Sequence, residues 1–357
     1  MEKKRYEQVA DELKQMVSEM SGNDKLPSIR ALMQQFNVSQ VTLNRSLSIL
    51  ETGASIRRRS GKGYYVSEKR AGLKTRSHIA FVFCYRQEHM SNPLYGAMIA
   101  RFLQKMTSTD DVLEIFACDE MKDIAKFRES FSEKKFDKCI LMGCSKQSFL
   151  YALHDMAVDI VQIYPNTFTE NDAVVQIDNN TIIEQLVEHL TGLGHSRITM
   201  VHGQGFEHVN MLDQEERMEA FYRAIEKRGL AYSARSMVYG GFNVETGYQA
   251  GLRILDTLPE LRPTAIIAND YCAGGIYRAA NELGLRIPED ISIAGIDNLP
   301  LCQCFSPQLT SVDINWPMAV DIAFDWVIHG IAESEVRLIP TNLIVRGSTG
   351  KCPAPAK

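Results

Sequence analysis

Apolar residues recur every three to four positions over residues 4–20 (Tyr6, Val9, Ala10, Leu13, Met16 and Val17), with charges between them, and predict an amphipathic helix. Ser21-Gly22-Asn23-Asp24 breaks that pattern. Pro27-Ser28 opens a second helix with Ile29, Leu32 and Met33 on its apolar side. After the turn Phe36-Asn37-Val38, Ser39 is suited to cap a third helix, in which Val41, Leu43, Leu47 and Leu50 are the apolar positions and which Gly53 ends. Ser55–Arg58 and Tyr64–Val66 are β-prone runs on either side of Gly61-Lys62-Gly63, the pattern of a hairpin.

The pattern changes at His78. Short apolar runs alternate with helical stripes, and nine are predicted to be strands: Ile79–Cys84, Val112–Ala117, Cys139–Met142, Ile160–Tyr164, Val174–Ile177, Ile198–Val201, Met237–Tyr239, Ala265–Ala268 and Ile291–Ala294. Ile182, Ile183, Leu186, Val187 and Leu190 form one clear helical stripe, and Asp178 is placed to cap it. Strand-helix alternation implies parallel sheets covered by helices on both faces. Some 270 residues of it exceed one open sheet and predict two α/β lobes. The expected organisation is a head over 1–66, a polar and basic linker over 67–77, and a two-lobed body over 78–350.

Charge separates the same parts. Residues 1–77 carry 15 Lys and Arg against 8 Asp and Glu, a net of +7, whereas the rest carries a net of −12. A basic head on an acidic body predicts that only the head meets a polyanion. The first residues are charged with no apolar run behind them, and no run approaches a membrane span, so a cytoplasmic chain without a membrane segment is expected. The eight cysteines are scattered, with no CxxC pair, and read as reduced thiols. Neither Gly143-Cys144-Ser145-Lys146 nor Gly203-Gln204-Gly205 completes a phosphate-binding loop, the histidines His195, His202 and His208 lack metal-ligand spacing, and no GxSxG is present. No cofactor, metal or catalytic residue is therefore expected, and the chain does not read as an enzyme. His195 reads as structural.

Helix, helix, turn, helix, hairpin is the order of a winged helix-turn-helix. Its third helix can enter a major groove, where Gln40, Thr42, Asn44 and Arg45 can reach base edges or phosphates. The hairpin brings Arg57, Arg58, Arg59 and Lys62, with glycines that allow close backbone approach. Leu26–Val66 (LPSIRALMQQFNVSQVTLNRSLSILETGASIRRRSGKGYYV) resembles the gluconate-repressor (GntR) family of winged helices. That resemblance implies DNA contacts at Arg30, Ser39, Thr42 and the wing Gly61-Lys62-Gly63. The family usually has arginines where this chain has Gln40 and Asn44.

Three segments of the body, Asp178–Gly203, Glu216–Leu230 and Pro263–Asn298, resemble the effector domain of the lactose-repressor (LacI) family, the last (PTAIIANDYCAGGIYRAANELGLRIPEDISIAGIDN) most specifically. The resemblance implies a Rossmann-like, periplasmic-binding-protein fold of two lobes joined by three crossovers, with a ligand between them. It implies that Arg217, Asn269 and Asp297 hydrogen-bond an effector, that Phe242 stacks on it, and that Tyr95 supplies an aromatic wall from the opposite lobe. Ligands in such folds sit off the carboxyl ends of parallel strands, where Asn269 and Asp297 fall. The pairing of a GntR-type head with a LacI-type body resembles the arabinose-repressor subgroup.

The function expected from these readings is a dimeric, sequence-specific transcription regulator, a repressor, that binds double-stranded operator DNA and is controlled by a sugar or sugar derivative. A nucleobase-responsive regulator of the same architecture and a solute-binding receptor without regulatory DNA binding are the alternatives.

Overall fold

A computed structural model describes residues 5–18, 20, 24–52, 56–59, 63–66, 77–84, 93–117, 124–134, 136–156, 158–170, 172–203, 212–233, 235–330 and 335–354. Lys62, the tip of the hairpin and the linker residues 67–76 lie outside these. The chain divides into two compact units, residues 1–77 with 325–333 and the remainder, which are described separately.

In the head, helices α1 (Arg5–Ser18), α2 (Ile29–Phe36) and α3 (Gln40–Thr52) precede strands β1 (Ile56–Arg59) and β2 (Gly63–Val66), which pair antiparallel with Ile56 opposite Val66. Ser28 caps α2 by accepting from Ala31 N at 3.2 Å, and Asn37 ends it in the left-handed conformation, φ 48°. Val9, Leu13, Leu32, Leu43, Leu47, Leu50, Ile56 and Val66 close one core. Val41 does not join it. The structure corrects that expectation: Val41 is 68 % exposed, because the core-facing stripe of α3 runs through Leu43, Ser46, Leu47 and Leu50.

The body contains two six-stranded sheets. The first has the order β13-β7-β6-β5-β3-β4, from β3 (His78–Phe83), β4 (Val112–Ala117), β5 (Lys138–Met142), β6 (Asp159–Ile163), β7 (Ala173–Ile177) and β13 (Val336–Ile339), all parallel. The second has the order β14-β12-β11-β10-β8-β9, from β8 (Ile198–His202), β9 (Met237–Tyr239), β10 (Ala265–Ile267), β11 (Ser292–Ile296), β12 (Thr310–Asp313) and β14 (Asn342–Ile344), with only β14 antiparallel. Most of their strands are nearly continuous apolar runs because helices cover both faces. The chain crosses between sheets three times: from β7 into α7 (Asn179–Gly192), from β12 into α11 (Trp316–His329), and from β13 to β14. The first turns of α11 return to the first lobe, where Asp321 takes Arg101 of α4 (Pro93–Met106) in two hydrogen bonds of 2.9 and 2.6 Å, and Phe324 meets Phe102.

All nine predicted strands are present, and β12, β13 and β14 add to them. Asp178 caps α7 through Thr181 N at 3.1 Å. His195 is buried between Thr264 Oγ1 (2.9 Å) and the Gly350 carbonyl (3.0 Å) and is structural. The described cysteines are free thiols.

One core residue breaks the pattern. Gln162 of β6 is fully buried, in register with Leu141 of β5 and Val174 of β7, and neither atom of its amide has a partner among the described residues. An unpaired buried polar group costs about 1–3 kcal/mol. Gln162→Leu is expected to raise the thermal midpoint of the body by roughly 2–8 °C. A lower midpoint in differential scanning fluorimetry would show that the amide is satisfied.

Candidate nucleic-acid interface and ligand cleft

The outward face of α3 is built by its cap. Ser39 Oγ accepts from Thr42 N at 3.2 Å and lies 3.0 Å from Thr42 Oγ1, so both hydroxyls are engaged in holding the first turn. That leaves Gln40, Val41, Asn44 and Arg45 exposed on the outer face of the helix. The Arg45 guanidinium lies 5.9 Å from the Tyr6 ring, and the Ser46 hydroxyl donates to the Tyr6 carbonyl at 2.7 Å, tying α3 to α1. Arg30 is exposed on α2. The hairpin is fastened to the segment before α2: Leu26 N donates to Tyr64 O at 2.9 Å and Val66 N to Asp24 O at 2.8 Å. Gly63 adopts φ 97°, which suits glycine at the strand start. Arg57 and Arg58 lie on β1.

In the body, left-handed residues gather where strands end. Tyr164 (φ 48°) follows β6, Asp297 (φ 109°) and Asn298 (φ 49°) follow β11, Asn315 (φ 48°) follows β12, and Gly143 and Gly241 follow β5 and β9. Non-glycine residues pay for this conformation, and such positions concentrate at binding sites. The same rims carry the chemistry. The Tyr164 hydroxyl is buried without a hydrogen-bond partner among the described residues. Burial, followed by the carboxylates of Asp297 and Asp313 and the phenol of Tyr95, drives its pKa far above the ordinary tyrosine value. Tyr95 and Tyr164 belong to the first lobe and Asp297 and Asp313 to the second, and the other three lie within electrostatic reach of the Tyr164 hydroxyl.

Arg217 lies on α8 (Leu212–Lys227) and is only 7 % exposed. Its Nε donates to Asn179 Oδ1 at 2.8 Å, and Asn179 Nδ2 donates to Glu216 Oε2 at 2.7 Å. No further partner of its guanidinium is seen among the described residues. Phe242 is half-buried over Gly203 at the end of β8, where any Cβ would run into the ring. Asn269 has a second occupation: its Oδ1 caps α10 (Asp270–Glu282) by accepting from Cys272 N at 2.9 Å, and its Nδ2 has only 3.4 Å contacts, to the Gly241 carbonyl and Cys272 Sγ. Its carboxamide oxygen is thus committed to the helix.

Sequence reasoning missed Tyr164, Asp313 and Asp270. Asp270 is fully buried and gathers Leu299 N (2.7 Å), Cys302 Sγ (3.0 Å) and Ser311 Oγ (2.7 Å), which fixes the loop carrying Asp297 against β12. Burial, opposed by these hydrogen bonds, raises its pKa to about 6. A carboxyl that holds its proton more tightly when folded lowers stability as pH rises from about 4 to about 6. Asp270→Asn is expected to flatten that part of the pH dependence of the thermal midpoint. An unchanged profile would show that Asp270 titrates at its ordinary value.

Among the described residues no group of three His, Cys, Asp or Glu side chains is placed to hold a metal ion, and no helix is long and apolar enough to cross a membrane.

A winged helix-turn-helix and a two-lobed, thrice-crossed α/β body define a DNA-binding head coupled to a binding-protein body. Residues 5–66 match the gntR family of bacterial regulatory proteins, and residues 187–349 match the periplasmic binding protein-like domain. The chain is 28 % identical over 229 residues to the HTH-type transcriptional regulator DegA of Bacillus subtilis, covering 62 % of this chain and 66 % of DegA. It is 27 % identical over 333 residues to the HTH-type transcriptional repressor CytR of Escherichia coli, covering 91 % and 92 % of the two chains. A regulatory protein of the LacI family from Chloroflexus aggregans superposes with a TM-score of 0.67 at 25 % identity, over 76 % of this chain and 98 % of that one. The chain therefore joins a gntR-family helix-turn-helix domain to a periplasmic-binding-protein-like domain, and its relatives are HTH-type transcription regulators rather than enzymes.

Proposed function

We propose that the protein is a cytoplasmic, sequence-specific transcriptional repressor whose operator affinity is set by a small polyhydroxyl effector, a sugar or sugar derivative, bound between the lobes. The observation that carries this reading is the gathering of polar and charged groups at and beside the strand ends. Arg217 offers a buried cation, Tyr164 a buried hydroxyl, and Asp297 and Asp313 carboxylates, with Tyr95, Phe242 and Tyr271 nearby as aromatic surface. Hydroxyl groups serve all of these at once, donating to carboxylates and accepting from guanidinium, while an aromatic face covers C–H groups.

A ligand that contacts both lobes favours their closed arrangement, and only its differential affinity for the two states can shift the protein between them. The head meets the operator through α3 and the wing, with Arg30, Gln40, Asn44, Arg45, Arg57, Arg58, Lys62 and Gly63 at the DNA. A symmetric dimer on a pseudo-palindromic operator follows from the short reach of one winged helix. The test is in vitro selection of duplex DNA with the full chain, combined with thermal-shift screening of sugars and nucleobases. An enriched inverted repeat and a stabilising sugar are expected. No enriched sequence, or stabilisation by nucleobases alone, would overturn the corresponding half of the reading.

A further inference from the structure

We propose that Val41 reads a thymine methyl group in the operator and is a specificity-determining residue of the head. The inference rests on the reading of α3 as the helix that enters the DNA groove.

Of the large apolar side chains that are exposed among the described residues, Val41 is the most exposed, at 68 %. It is not a stray residue on a solvated surface. It stands in the first turn of α3, and its own helical stripe continues through Asn44, Arg45 and Ser48, with Gln40 beside it. The stripe on the opposite side, Leu43, Leu47 and Leu50, already fills the head core, so packing gives no reason for an apolar residue at 41. A β-branched residue also gains nothing from helix propensity at an exposed site.

The local geometry narrows the chemistry further. Ser39 and Thr42 are engaged with one another, so both hydroxyls already serve the cap of the helix. Besides the hydroxyl of Ser48 one turn further on, the outward groups are two carboxamides, one guanidinium and one isopropyl group. Carboxamides pair with the donor-acceptor edge of adenine, and guanidinium with guanine or phosphate. The one apolar feature on a major-groove base edge is the C5-methyl of thymine. The N-terminal residues of a recognition helix are those that reach base edges. Val41 is therefore placed to remove a thymine methyl from water between bases read by Gln40 and Asn44.

The experiment uses the full chain. An operator is first selected from random duplex DNA, and each thymine is then replaced in turn by deoxyuridine, which keeps every hydrogen-bonding group and removes only the methyl. Affinities are measured for the wild type, Val41→Ala and Val41→Thr. With the wild type, one position per half-site is expected to lose about fourfold on removal of its methyl, the size of one buried methyl-sized group. Val41→Ala is expected to bind the thymine operator with a similar loss and to be indifferent to deoxyuridine at that position. Val41→Thr, which keeps one methyl, is expected to fall between them. Equal thermal midpoints for the three chains confirm that the exposed substitution leaves the head folded. If no deoxyuridine position affects the wild type, or if the same position affects Val41→Ala equally, the proposal is overturned while DNA reading by α3 stands. If no sequence is enriched, the reading of the head itself fails and the proposal falls with it.

Discussion

Arg217→Ala is expected to weaken effector binding by about 10- to 150-fold, the value of a hydrogen bond to a charged group, while leaving operator affinity without effector unchanged. The guanidinium is nearly enclosed, is oriented by Asn179 through one nitrogen, and has no other partner among the described residues. An enclosed cation held in this way is already positioned to meet a ligand hydroxyl, and little ordering cost remains at binding. Its loss removes the interaction but not the fold of the head. Calorimetry with the best sugar from the screen, set beside operator titration, separates the two effects. Normal effector binding by Arg217→Ala would move the site away from α8.

Arg45→Ala combined with Lys62→Ala is expected to flatten the salt dependence of operator binding as well as to weaken it. Each phosphate contact contributes about 0.9 to the slope of log affinity against log salt. Two such residues in each protomer of a dimer give four contacts, so the slope is expected to fall by about 3.6. Arg45 is exposed on α3 beside Asn44, and no contact within the head buries it. Affinity should therefore change without loss of folded protein. Titrations at several salt concentrations give both numbers, and an unaltered slope in the double variant would place the phosphate contacts elsewhere.

Most of the strands that the sequence revealed are buried on both faces, which favours nearly continuous apolar runs such as HIAFVF. The three that it concealed lack that mark. Thr310 and Ser311 of β12 are fully buried but polar: Thr310 N donates to Ser348 Oγ at 2.8 Å, and Ser311 Oγ donates to Asp270 Oδ1. Only tertiary partners make such a strand possible. β13 and β14 are short edge strands on either side of Pro340, with Arg337 and Asn342 in them. Periodicity failed at Val41 for a different reason: spacing alone assigns apolar residues to a core, and a residue retained for an outward purpose looks the same.

The proposed ligand cleft was partly legible. Arg217, Asp297, Phe242 and Tyr95 came from resemblance, and their part in binding an effector stays a proposal. Tyr164 was invisible because its significance lies in a left-handed backbone and an unpaired hydroxyl, neither of which leaves a trace in residue order. Asn269 shows the reverse limit. A strand-end asparagine suits a ligand and a helix cap equally, and its bond to Cys272 N commits its oxygen to the cap.

The central claim is that one small molecule in the body governs operator binding by the head, and coupled titration tests it most directly. Operator affinity of the full chain is measured across a series of effector concentrations, and effector affinity is measured with and without operator. A coupling of about 1–3 kcal/mol predicts a 5- to 150-fold change in operator affinity, and linkage requires the same factor in the reciprocal measurement. Arg217→Ala should shift the midpoint of that response to much higher effector concentration. An operator affinity unaffected by saturating effector, with the effector demonstrably bound, would contradict the account.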